Sequence, residues 1–175
     1  MSKYDEGIEV EPISRSDLRR LTCLLRKQLG IEDAEPFPVM TFLELVLPKV
    51  FDDFTLVIKT RAEMGNKHGE TFPRRHCITL REDVYLGACA GKGRDLYTVA
   101  HEIGHLFLHA GHYSFARRGI GSFPIFKNSE WQADAFAGEL LMPYSQIRNM
   151  ITEQVQATYG VSPSAAKAQL RAIRR

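Results

Sequence analysis

The stretch RDLYTVAHEIGHLFLH, residues 94–109, decides how the chain is read. Leu96, Val99, Ala100, Ile103, Leu106 and Phe107 recur at helical spacing and mark a core helix, expected from about Arg94 to His109 with Gly111 as its stop. Set into that apolar run are His101, Glu102, His105 and His109. Polar groups so placed are costly to bury unless something pairs with them. Residues four apart on a helix lie one above the other, so His101 and His105 aim their rings at one point. Two ligands of a tetrahedral zinc need that arrangement. Glu102 is rotated off the face, yet its carboxylate can reach a water on such an ion. The offset suits the chemistry, because a metal lowers the pKa of its water and an adjacent carboxylate accepts the proton. Gly104 is a poor helix former, and its place is expected to let another element approach closely.

Two histidines do not complete a zinc site. The extended pattern HExxHxxGxxH would require glycine at 108 and histidine at 111, where the chain has Leu108 and Gly111. His109 and His112 are close in sequence, but a ligand from a second element closes a tetrahedron with less strain. SEWQADAFAGELLMP, residues 129–143, offers one. Glu130 and Asp134 share one helical face, so Glu130 can give a carboxylate oxygen to the metal. Asp134 can then accept the free N–H of a ligating histidine and fix its tautomer. Ser129 and Gln132 have the capping-box form, which starts this helix and carries it to about Met142.

Outward from these two helices the chain alternates in character. Residues 1–12 look like a loose tail. A helix is expected from Ser16 to Leu29, with Leu18, Leu21, Leu25 and Leu29 on one face and Gly30 as its stop. Thr41 and Glu44 form a second capping-box pattern for a short helix that Pro48 ends or bends. FTLVIKT (54–60) and RRHCITL (74–80) read as strands around the turn MGNKHG, with VYLGA as a third short strand. The RRHCITL strand is expected to expose an edge to which an extended substrate can pair. Between the two motif helices lies GHYSFARRGIGSFPIFKN (111–128), a long connection of the covering-flap kind. Pro143 opens a helix to Thr158, and Ser162-Pro163 caps a last one. The whole reads as one α+β domain over 1–175, with 143–175 a C-terminal helical extension.

Composition narrows the partners. A net charge of +2 and 44% hydrophobic residues fit a globular domain and give no argument for nucleic acid or an anionic membrane. MSKYDEGIEVEP is polar, so no signal peptide is expected, and no apolar run is long enough to span a bilayer. Cys23, Cys77 and Cys89 are odd in number and form no CxxC pair. Reduced thiols and a cytoplasmic location are therefore expected.

With the motifs in hand, RDLYTVAHEIGHLFLH followed by EWQADAFAGELLMP resembles the ImmA/IrrE metallopeptidases, closest over about 94–143. The combined pattern, HExxH then ExxAxxFAxxLLMP, is far more specific than HExxH alone. The resemblance implies a minimal gluzincin-type, zincin-like fold, a short mostly antiparallel sheet packed on the active-site helices. It implies zinc, or manganese, held by His101, His105 and Glu130, with Glu102 as general base. It also implies a protein substrate, a helix-turn-helix repressor of the XRE type, clipped to relieve repression of stress or mobile-element genes. Peptide hydrolysis needs a second donor for the carbonyl oxygen. His109, His112, Tyr113, Arg117 and Arg118 are the nearby candidates.

Two rivals are expected to fail. TEQVQATYGVSPSAAKAQLRAIRR has helix-turn-helix character, but its alanines leave only Lys167, Gln169 and Arg171 to reach bases, which argues against direct DNA binding. A regulatory or toxin–antitoxin component that binds metal without cutting would have no use for Glu102 beside the ion.

Overall fold

Helix α1 (Arg15–Gln28) starts where the Ser14 hydroxyl accepts a hydrogen bond from the Asp17 amide. In the computed structural model, which describes residues 7–110 and 123–174, it is followed by α2 (Val39–Thr41), a π-helical turn (Phe42–Val46) and α3 (Leu47–Val50). The capping box expected of Thr41 and Glu44 does not form, because helix has already begun at Val39. Glu44 instead accepts from the Tyr85 hydroxyl at 2.7 Å. Strand β1 (Thr55–Lys59) leads into a one-turn α4 (Arg61–Met64), where Thr60 and Glu63 do form a capping box.

Strands β2 (Gly69–Phe72) and β3 (Cys77–Arg81) complete the sheet. Their order is β1-β3-β2, with β3 parallel to β1 and antiparallel to β2. The sheet is thus mixed rather than mostly antiparallel: the chain reverses once through α4 and again at Pro73–Arg75, so β3 runs in the direction of β1 and lies between it and β2. Of RRHCITL, Arg74 and Arg75 lie in a 3-10 turn and the strand begins only at Cys77; β3 is central, its backbone paired on both sides, and the edge expected there belongs to β2 instead. Ile78 and Leu80, two apart on β3, are fully buried as the alternation required. VYLGA is not a strand but part of α5 (Glu82–Cys89), where Glu82 and Asp83 favour the N-terminal turn and Val84 and Ala88 turn inward.

Helix α6 (Gly93–Leu108) carries the HEIGH motif, and α7 (Ser129–Leu141) carries Glu130. All residues from Gln132 to Leu141 are buried, as in a helix enclosed on every side. Gly104 is where α6 and α7 cross. A Cβ there would stand 3.1 Å from Phe136 Cδ1 and 3.2 Å from the Ala133 backbone, so the glycine permits the approach expected of it. On its other flank α7 meets α1. The buried stripe of α1 is Leu18, Thr22 and Arg26, and Leu21, expected inside, is exposed. The stripe is displaced because α1 also brings Arg15 and Arg19 to Glu139 of α7, a fully buried carboxylate that needs a counter-charge.

From Gly7 on, the expected tail is tied down. Ile8 and Ser129 exchange hydrogen bonds, Ser129 N to Ile8 O at 3.1 Å and Ile8 N to Ser129 Oγ at 3.0 Å. Val10 N donates to Lys127 O. These contacts displace the expected Ser129–Gln132 capping box, and Asn128 caps α7 instead by accepting from the Trp131 amide. The single helix expected over 143–158 is two, α8 (Tyr144–Ile147) and α9 (Thr152–Tyr159), since Gln154 Oε1 accepts from the Ile151 amide and starts a new one. Gly160 takes the left-handed conformation that ends α9, and Ser162 caps α10 (Pro163–Ile173). On α10, Gln169 is buried and accepts from Arg15. One of the three side chains left for reading DNA is therefore unavailable.

Candidate metal centre

The helical spacing on α6 does what it was expected to do. His101 Nε2 and His105 Nε2 lie 3.0 Å apart. Glu130, in the first turn of α7, reaches across with Oε2 3.2 Å from His101 Nε2 and Oε1 3.3 Å from His105 Nε2. Donors placed about 2.0–2.1 Å from a tetrahedral zinc stand about 3.3 Å from one another. The observed separations fit that figure, and two imidazoles with one carboxylate are a donor set suited to zinc. His101, His105 and Glu130 could therefore hold a metal ion.

Each imidazole is held from behind. Asp134 Oδ1 lies 3.0 Å from His101 Nδ1, the position expected from the i, i+4 spacing on α7. The Tyr97 hydroxyl donates to the Asp134 carbonyl at 2.9 Å and ties the same turn of α7 to α6. Behind His105 stands His109, Nδ1 to Nδ1 at 2.9 Å. The other His109 nitrogen, Nε2, is 3.1 Å from Gln132 Oε1. Both nitrogens of His109 are engaged inside the protein, and the ring is buried. It therefore has no N–H to offer a reacting carbonyl, which removes it as a second oxyanion donor. His112, Tyr113, Arg117 and Arg118 lie outside the described residues, as does most of the expected flap.

Electrostatics follow from this packing. Burial lowers the His101 pKa, but the hydrogen bonds that Asp134 and Glu130 accept from its ring and the nearby Glu102 charge outweigh it and raise the value to about 10. Burial alone would raise the Glu130 carboxyl, yet the two histidines pull it well below the usual carboxylate range. Both shifts say that the pocket favours a positive charge facing Glu130. His109 goes the other way: burial and the adjacent His105 lower it to about 4, which keeps it neutral.

Glu102 sits beside the cluster, its side chain turned toward the sheet. The Thr71 hydroxyl of β2 lies 2.6 Å from Glu102 Oε2 and 3.1 Å from the Glu102 carbonyl. Gly69, two residues earlier and on the same face of the strand, makes room for that carboxylate. A Cβ there would lie 2.6 Å from Glu102 Oε1, so any side chain would have to push the carboxylate out of its place. Neither residue was singled out in the sequence, where GETF carries little strand signal, and only the fold brings it to the motif. A cleft of about 360 Å³ opens here, lined by Gly69, Glu70 and Thr71 on one side and by His101, His105 and Glu130 on the other. Among the described residues no strand pairs with the outer edge of β2.

A motif helix with two histidines and a glutamate, a carboxylate from the next helix and a small sheet along the cleft define a metallopeptidase-type centre. The chain belongs to the family of the IrrE N-terminal-like domain, peptidase family M78, whose model matches residues 55–171. That match spans the sheet, both motif helices and the C-terminal helices to within a few residues of the end. A search of curated proteins found no match. Among the described residues no helix is long and apolar enough to cross a membrane.

Proposed function

We propose that the protein is a zinc-dependent endopeptidase in which His101, His105 and Glu130 bind the metal and Glu102 is the general base. The observation that carries this reading is the cluster of donor atoms, two imidazole Nε2 atoms 3.0 Å apart and each 3.2–3.3 Å from one of the two oxygens of the Glu130 carboxylate, with Glu102 adjacent on the same helix as His101 and His105. A divalent ion bound there lowers the pKa of a water and polarises the scissile carbonyl. Glu102 takes the proton of that water and later passes it to the leaving amine. The Thr71 hydroxyl steadies one carboxylate oxygen of Glu102 and leaves the other for the proton. Asp134 accepts the His101 Nδ1–H and so presents Nε2 as the ligand.

The outer edge of β2, with no strand on it among the described residues, runs along the cleft, and an extended segment can add to it by main-chain hydrogen bonds. That favours a protein substrate presented as unfolded chain. The resemblance to ImmA/IrrE proteins makes a helix-turn-helix repressor in the cytoplasm the substrate to test, and cutting it would relieve repression. Zinc is favoured over manganese at this donor set. Incubation with the repressor encoded beside its gene, with zinc and with a chelator, tests the proposal. Two fragments are expected with zinc and none after chelation; fragments that persist in chelator would overturn it. Glu102→Gln separates this reading from a regulator that binds without cutting, because only the peptidase loses function while keeping its metal.

A further inference from the structure

The buried pair His109 and Gln132 is not used by the chemistry above, and sequence alone had given each a different task. His109 is 4% exposed and Gln132 2% exposed, yet every polar atom of the two side chains has a partner. The Gln132 amide nitrogen donates to the carbonyls of Glu11 at 2.7 Å and Phe126 at 2.8 Å. Flipping this amide would set its oxygen against two carbonyl oxygens, so its orientation is fixed by its surroundings. Gln132 Oε1 must then be an acceptor, and the His109 nitrogen 3.1 Å from it, Nε2, must carry the hydrogen. A neutral His109 with its hydrogen on Nε2 has a lone pair on Nδ1. That lone pair faces His105 Nδ1 at 2.9 Å and can only accept.

We propose that His109 and Gln132 are positioning residues for His105. The chain of hydrogen bonds has one direction, from His105 through His109 and Gln132 to the carbonyls of Glu11 and Phe126. It holds His105 in the tautomer with hydrogen on Nδ1 and leaves the Nε2 lone pair turned toward His101 and Glu130. His101 is oriented by a carboxylate, Asp134, from its own site; His105 is oriented by a relay that ends in two backbone segments outside the motif helices. One end of that relay is the strand-like run that pairs Glu9 with Asn128. The orientation of His105 therefore depends on how the N-terminal segment docks beside α7.

The inference rests on the metal site proposed above, and its test keeps the two apart. Zinc affinity is measured by competition with a chromophoric chelator for the wild type, His109→Ala, His109→Asn and Gln132→Leu. Side-chain tautomers of the zinc-loaded wild type are read from long-range 1H–15N correlation spectra. A wild type that fails to bind zinc would remove the site itself. If the site holds, His109→Ala is expected to bind zinc about 10–100-fold more weakly. His109→Asn, whose oxygen can occupy the Nδ1 position, should recover part of the loss, and Gln132→Leu should fall between. The spectra should show hydrogen on His105 Nδ1 and on His109 Nε2. Wild-type affinity in His109→Ala, or hydrogen on His109 Nδ1 in the spectra, would overturn the relay while leaving the metal site standing. The spectra decide the matter even if a variant does not fold.

Discussion

Helix α7 carries a glutamate at each end, and the two are treated differently. At Glu139 the chain supplies its own counter-charge: Arg15 at 3.2 Å and Arg19 at 2.9 Å meet a carboxylate that is fully buried. The cavity beside it is small, about 140 Å³, and Arg19 closes over the Tyr144 ring there, 3.9 Å from its centroid. At Glu130 no lysine or arginine among the described residues takes that place, and the carboxylate faces two imidazoles across a larger cleft. The first arrangement is complete as folded. The second has the donor set to take a cation, and on the proposed function that difference marks the metal-binding end of the helix.

The comparison can be broken by substitution. Glu102→Gln has the largest expected effect on function: a loss of about 10²–10⁴ in cleavage rate, the range for a general base, with zinc affinity kept. A cleavage assay and a zinc titration on the same sample check it. Replacing Arg15 and Arg19 together by Met should leave Glu139 buried without a partner. Denaturant melts are then expected to show a loss of about 3–5 kcal/mol, with zinc affinity nearly unchanged. Gly104→Ala forces a methyl against Phe136 and the Ala133 backbone, for an expected cost of about 1–3 kcal/mol in the same melts. Here the metal site should weaken too, because the α6–α7 spacing sets the distance from the histidines to Glu130.

A pH series sharpens the contrast with the smallest effect. Without metal, His101 keeps its proton up to about pH 10. A metal needs the Nε2 lone pair, so binding must release that proton. Zinc affinity is thus expected to rise with pH, roughly tenfold per unit across neutral pH for one released proton. A zinc affinity that is flat between pH 6.5 and 8.5 would contradict the His101 assignment.

The convergence of these side chains was legible in the sequence because it depends on spacing along single helices. His101 and His105, and Glu130 and Asp134, are each pairs four apart, and a helix converts that number directly into a shared face. The strand at Thr55–Lys59 and the buried pair Ile78 and Leu80 were legible from β-branched content and alternation. What escaped notice depends on contacts between distant segments. Gly69 and Thr71 matter only because β2 lies against Glu102. Gln132 looked like a capping residue because its local pattern with Ser129 is the usual one. The N-terminal segment captured both side chains, and no local rule foresees that. The VYLGA segment failed for a related reason: its β-branched content was outweighed by burial against α6, where tertiary packing overrides propensity.

The central claim is that one divalent ion is shared by two imidazoles of α6 and one carboxylate of α7. A zinc-edge anomalous diffraction map of zinc-loaded crystals tests it most directly. The expected result is a single peak about 2.0–2.2 Å from His101 Nε2, His105 Nε2 and a Glu130 oxygen, which disappears in Glu130→Ala. A peak bound elsewhere, or one that keeps its place and height without Glu130, would contradict it.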